Sequence, residues 1–212
     1  MKIKTSGLPD VFFVCCKRLF GCVIINFMKV ILASASPRRK ELLKKLVKDF
    51  SVIPSEFDEN IPFDEPSEYA IKLSFFKAEE VFNRFFNDIV IGADTIVVLD
   101  GKILGKPHDE AQAKIMLNAL SGRSHSVITG VTVMSKQKTV TFAEISAVTF
   151  KKLTDTDIEN YIKTGSPFDK AGGYGIQDSG FVETISGSFE NVVGLPVEQL
   201  GEVLKQFGGL NG

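Results

Sequence analysis

Val30-Ile31-Leu32-Ala33-Ser34-Ala35-Ser36-Pro37-Arg38-Arg39 reads as a strand that runs directly into a helix. The first four residues are apolar and mostly β-branched, and Leu42, Leu43 and Leu46 follow at helical spacing, which predicts a strand over 30–33 and a helix over 39–47. Ser36 suits the N-cap, Pro37 suits the first helical position because its missing N–H would be unpaired there, and Glu41 is expected in the first turn. The junction therefore gathers free backbone N–H groups, a positive dipole end, two hydroxyls and two guanidinium forks, which is the chemistry of a phosphate grip. Taken alone, the same segment also fits a plain capped helix start with solvated arginines.

Working outward, a short strand is expected at 50–53, an acidic loop at 55–60 and a long helix from Pro66 to about Phe86. Residues 89–99 form a continuous apolar strand broken by one polar pair, and Asp100-Gly101 is a hairpin turn returning through 102–104. A helix over 109–120, two β segments at 125–134 and 139–150, a helix over 154–163 with Thr154 and Asp157 in capping-box spacing, and a last helix over 196–207 complete the pattern. Residues 172–187 read as a glycine-rich loop and turns. Strands first alternate with helices and then pair locally, which predicts an α/β fold with a mixed sheet and a cleft.

The chain has 212 residues, 44% of them hydrophobic, and a net charge of -1. That supplies ample core and no polybasic field, so nucleic acid polymers are not expected partners and a small anionic ligand is. Residues 1–27 differ from the rest. They hold Cys15, Cys16 and Cys22, and an apolar run from Val11 to Phe27 split by Lys17-Arg18. The central charges argue against a membrane span, and no small-x-small cleavage site precedes Met28, so a signal peptide fits poorly. These residues are expected to be an N-terminal extension outside the fold, with Met28 as the start of a domain over 28–212. The extension carries four basic groups and one acidic group, which leaves 21 basic and 25 acidic groups and no cysteine in that domain. Disulfides and Cys-ligated metals are thereby unavailable to it, and the cytoplasm is the default compartment.

Asp94 is the strongest single candidate for chemistry, because so apolar a strand should not carry a carboxylate unless the charge is paired or used. Gly92-Ala93 before it lets a ligand or another chain segment approach the backbone. Lys77 lies on the helical face of Ala70, Leu73 and Val81, where its ammonium either snorkels or reaches a phosphate. Lys106 sits beside Gly105 in a short strand end. Glu59, in the acidic loop, gains interest if several cations gather a triphosphate, since Glu59 and Asp94 would then offer hard oxygen ligands to Mg²⁺ or Mn²⁺. In Asp169 to Asp178, three glycines within four positions allow a tight backbone under a flat ligand, and the Gln177 amide both donates and accepts, as reading a base edge requires.

Together, Leu32 to Arg39, Ser74 to Glu79, Gly92 to Thr95, Gly105-Lys106-Pro107 and Asp169 to Gln177 resemble the Maf family of nucleoside triphosphate pyrophosphatases, in order and spacing, from Met28 to about Phe207. The resemblance implies an elongated two-lobed α/β fold similar to the inosine triphosphate pyrophosphatases, with the substrate in the cleft between lobes. It implies hydrolysis of a nucleoside triphosphate to the monophosphate and pyrophosphate with a divalent cation, a clearing of the nucleotide pool linked to arrest of cell division. Carried onto this chain, Asp94 matches the family's proton acceptor, and Ser34, Arg38, Arg39, Glu59, Lys77 and Lys106 match its active-site set. Arg38, Thr95 and Gln177 fall where the subgroups differ in substrate preference, and Asp94-Thr95 with Gly175-Ile176-Gln177 resembles the subgroup acting on dTTP and UTP rather than on 7-methyl-GTP.

Two other classes compete with this expectation. One is a non-catalytic nucleotide-binding regulator of septum formation, and the other a sugar-phosphate phosphatase using the same anion grip. A carboxylate beside a triphosphate repels the ligand, so Asp94 favours an enzyme over a pure binder. A homodimer is left open.

Overall fold

A computed structural model describes residues 28–62 and 65–208, so the extension expected at 1–27 lies outside the described residues. The apolar segments become strands β1 (Val30–Leu32), β2 (Phe50–Val52), β3 (Ile89–Leu99), β4 (Lys102–Leu104), β5 (Ser124–Met134), β6 (Thr139–Phe150) and β7 (Val182–Ser186). The helices are α1 (Pro37–Leu43), α2 (Pro66–Arg84), α3 (Glu110–Leu120), α4 (Asp155–Lys163), α5 (Phe189–Val193) and α6 (Val197–Lys205). One mixed sheet runs in the order β2-β1-β3-β5-β6-β7, with β4 also paired to β3. β1 is parallel to β2 and β3, because α1 and α2 supply the crossovers that parallel pairing needs. The remaining pairs are antiparallel and joined locally, as at Asp100-Gly101, where both residues take positive φ in the tight turn expected there.

Two local expectations change. The first helix spans Pro37–Leu43 and then tightens, with Lys45 N–H donating to Leu42 O (3.1 Å) and Leu46 N–H to Leu43 O (2.9 Å). Glu41 consequently lies past the first turn and pairs with Lys44 on the surface. Leu46 keeps its place on the apolar face and packs on α6, where it meets Gly201, so the helical spacing of leucines signals the packed face correctly while overstating the helix. The segment over 172–187 yields strand β7 in addition to turns; its alternating half-exposed residues pair with the end of β6, and this edge strand has little apolar signal of its own.

The site depends on the edge of β3 that faces β1 and β4. β1 pairs with residues 89–91 and β4 with 97–99, so residues 92–96 lie in a gap between the ends of the two strands. The chain leaves β1 into Ser34 and leaves β4 into Gly105-Lys106, and both exits converge on that gap. On its other edge β3 is paired without a break from Val90 to Val98, with Asp94 opposite Gly130 and Thr95 opposite Thr129. The hydrophobic core divides at the same place: Ile89, Ile91 and Ala93 join α1 and α6, while Val97 and Leu99 join α3 and α4. A crevice at the carboxyl end of a parallel strand, where the sheet's order switches, is the usual ligand site of α/β folds.

Helix α2 covers the opposite face from α1 and α6, and two glycines set how close it comes. A Cβ on Gly92 would run into the Ser74 carbonyl and stand 2.8 Å from Ala78 N, and one on Gly130 would stand 2.6 Å from Ile71 N. The segment that Gly92 admits is thus α2 itself. Ser74 adds a hydrogen bond to Thr132 on β5 (2.9 Å). Among the described residues no helix is long and apolar enough to cross a membrane.

Candidate active site

A cavity of about 830 Å³ opens at the β3 gap, and every candidate from the sequence lines it. Its cationic end starts at the β1–α1 junction, where Arg38 and Arg39 line it. Ser36 caps α1 by accepting from Arg39 N–H (3.4 Å), and Ser34 Oγ accepts from Ser36 N–H (3.2 Å). Arg39 is partly buried and held at three points, donating to Ser34 Oγ (3.2 Å), Thr95 Oγ1 (3.0 Å) and Gly194 O (3.0 Å). Thr129 spends its hydroxyl proton on Asn191 O (3.0 Å), so the 3.0 Å contact between the two threonines has Thr95 as donor. A chain of hydroxyls thereby fixes Arg39, and among the described residues two of its five N–H donors are left for a ligand. Burial pulls the Arg39 guanidinium below its ordinary value, the Asp94 charge pushes back, and the neighbouring Arg38 adds to the lowering. A guanidinium nonetheless stays charged at any relevant pH. Since α1 is only seven residues long, the arginine side chains rather than the helix dipole carry the positive charge here.

Lys77 links the two acidic candidates. Its Nζ lies 2.5 Å from Asp94 Oδ1 and 2.8 Å from Glu59 Oε1, with only 12% of the side chain exposed. The close seat of α2 over Gly92 and Gly130 brings this ammonium onto β3, and the pairing answers the buried charge that Asp94 raised in the sequence. Desolvation alone would raise the Glu59 carboxyl; the hydrogen bond and charge of Lys77, with the charges of Lys106 and Arg39, outweigh it and hold Glu59 below the usual range. Lys106 lines the cavity at the exit from β4 and reaches this group through its charge.

The opposite end is a turn. Gln177 is exposed and lines the cavity beside Ile176, and Ser179 N–H closes the turn on Gly175 O (3.0 Å). Gly172 and Gly173 both take positive φ, near +70°, and a Cβ at Gly172 would meet the Val97 side chain at 3.0 Å, so glycine is needed there to lay the loop against β3. Arg38 points toward this end and pairs with Asp169 (3.1 Å), which ties the first helix to the late loop.

Two groups escaped the sequence reading. Tyr69 on α2 lines the cavity, and desolvation together with the charges of Asp94 and Glu59 raises its phenol. Tyr161 on α4 supports the turn from outside the cavity; the signal available for it was a tyrosine on a helix's apolar face, whose hydroxyl must find a partner when buried.

The whole arrangement can hold a polyanion at one end, place a paired carboxylate beside it and present an amide at the other. The family described as Maf-like protein matches residues 29–207. A dTTP/UTP pyrophosphatase of Bacillus mycoides is 50% identical over 182 residues, 84% of this chain and 95% of the relative. The dTTP/UTP pyrophosphatases of Carboxydothermus hydrogenoformans (49% identical, 85% of this chain, 100% of the relative) and Thermosipho africanus (52%, 84% and 92%) are similarly close. Among solved structures, the Ham1 protein of Staphylococcus aureus aligns with 84% of this chain and 99% of its own at 16% identity, with a TM-score of 0.47.

Proposed function

The chain belongs to the Maf-like protein family, and from that premise we propose that it hydrolyses nucleoside triphosphates, dTTP and UTP in preference, to the monophosphate and pyrophosphate. The observation that carries the reading is the carboxylate of Asp94 in the β3 gap, ringed by Arg39, Lys77 and Lys106 in one cavity. Water attacks the α-phosphorus, the bond from it to the bridging oxygen of the β-phosphate breaks, and pyrophosphate leaves with the electron pair. Lys77 holds Asp94 through Oδ1, which leaves Oδ2 to take the proton of the attacking water. Negative charge grows on the leaving oxygens, and Arg39, fixed beforehand by Ser34, Thr95 and Gly194, helps the transition state more than the ground state.

A divalent cation fits on the chemistry of the donors. Glu59 and Asp94 bring hard carboxylate oxygens together through their shared pairing with Lys77 Nζ, and among the described residues no group of three or more metal-binding side chains occurs. Two carboxylates plus substrate phosphates and water is the usual environment of Mg²⁺. Held by Glu59 and Asp94, the ion would draw charge from the phosphate oxygens. The cytoplasm, where nucleoside triphosphates are made and used, is the proposed compartment.

The test is Asp94→Asn with the products separated. The variant is expected to fold and to lose about two to four orders of magnitude in kcat. Unchanged turnover would remove Asp94 as the base, and nucleotide binding by the wild-type chain without pyrophosphate release would remove the enzyme.

A further inference from the structure

Gln177 sits in a turn whose two ends are joined by one side chain from another element. The Tyr161 hydroxyl accepts from Gly175 N–H (2.9 Å) and donates to Asp178 Oδ1 (3.1 Å), and Gly175 and Asp178 flank Ile176-Gln177. Tyr161 is 6% exposed, does not line the cavity, and stacks its ring edge-on against Phe181 with centroids 5.0 Å apart. The clip continues beyond it: Asp178 Oδ2 accepts from Ser166 Oγ, and Lys170 Nζ donates to Ser166 O (2.6 Å) and Ser166 Oγ (2.8 Å). Lys170 also donates to Asp169 Oδ1 (2.7 Å), whose other oxygen holds Arg38. A Cβ at Gly175 would press on the Asp178 carboxylate and stand 2.8 Å from Lys170 Cε, so a side chain there would push these two groups of the clip aside.

We propose that Tyr161 is a specificity-positioning residue: by clipping Gly175 to Asp178 it fixes where Gln177 meets the nucleotide base, without touching the substrate. This rests on the reading that Gln177 lies at the base. Burial pushes the Tyr161 phenol up to about 12, which keeps the hydroxyl protonated and able to donate and accept at once. An aromatic ring buried against Phe181 keeps its packing when only the oxygen is removed, so the role separates from the fold.

The experiment compares the wild-type chain, Tyr161→Phe, Gln177→Ala and the double variant on dTTP, UTP and CTP, with kcat and KM determined separately. Loss of one hydrogen-bonded hydroxyl is worth about a tenfold change. We expect Tyr161→Phe to lower the dTTP:CTP ratio of kcat/KM by about that factor through KM, with kcat on dTTP kept within about twofold. Gln177→Ala should lower the ratio too, and the double variant should fall little further, because both changes disable one device. A shifted ratio in Gln177→Ala with none in Tyr161→Phe overturns the inference and leaves the reading of Gln177 intact. An unshifted ratio in Gln177→Ala overturns that reading and the inference with it. Equal loss on all three nucleotides, or full additivity in the double variant, also overturns the inference. If Tyr161→Phe does not fold, Asp178→Asn weakens the same clip from the other side and is judged by the same ratio.

Discussion

The proposed phosphate end and the proposed base end of the cavity are built in different ways. At the phosphate end the functional groups stand on the sheet and on helices seated against it: Asp94 in β3, Lys77 on α2, Arg39 fixed by the hydroxyls of Ser34 and Thr95 and a carbonyl after α5. At the base end, Gln177 rides on a turn held by side-chain hydrogen bonds from Tyr161, Ser166 and Lys170. On the proposed reading, chemistry common to all nucleoside triphosphates sits on backbone that packing fixes, and choice among bases sits on a loop that a few side-chain changes could re-aim without disturbing the core. The paired arginines divide along the same line. Arg39 is locked between Ser34, Thr95 and Gly194, whereas Arg38 reaches across to the exposed Asp169.

The contrast breaks most readily at Gly92. Gly92→Ala places a methyl against the backbone of α2 and is expected to cost about 3 kcal/mol, with turnover falling as Lys77 is lifted from Asp94. Chemical denaturation measures the first effect and pyrophosphate release the second. A variant as stable and as active as the wild type would mean that the close seat of α2 does not hold the phosphate end.

A smaller effect sharpens the account of the base end, which rests on a buried aromatic cluster. His125 contacts the Tyr174 hydroxyl through Nε2 (2.7 Å), while Nδ1 is buried and has no hydrogen-bond partner among the described residues. Desolvation lowers the imidazole from 6.5 to about 4. The unfolded chain then takes up a proton below pH 6.5 that the folded chain refuses until about pH 4, so stability is full above 6.5 and is lost as pH falls toward 4. The expected loss from this group is about 2 kcal/mol between pH 7 and pH 5. His125→Gln retains a hydrogen-bonding group and should lose correspondingly less over that interval in denaturation at the two pH values. Equal losses in variant and wild type would place the acid sensitivity elsewhere.

The two ends also differed in how far the sequence revealed them. Asp94 and Gly92 stood out because a carboxylate and a glycine inside an apolar strand demand a local explanation, and the Thr154 capping box was legible because its partners are three residues apart. Lys77 remained open between snorkelling and phosphate binding, since what settles its place is the approach of α2 across Gly92 and Gly130, on two different strands. The Arg38–Asp169 pair and the clip at Tyr161 depend on contacts between distant segments, which periodicity does not encode. The β7 segment reads as turns because an edge strand of half-exposed residues takes its definition from its neighbour β6.

The central claim is attack at the α-phosphorus in the β3 gap, with pyrophosphate leaving into the cations of the phosphate end. Hydrolysis of dTTP in ¹⁸O-labelled water, with the products resolved by mass spectrometry, tests it most directly. The account predicts one labelled oxygen in the monophosphate and unlabelled pyrophosphate. Label in the pyrophosphate, or orthophosphate as the released product, would contradict it.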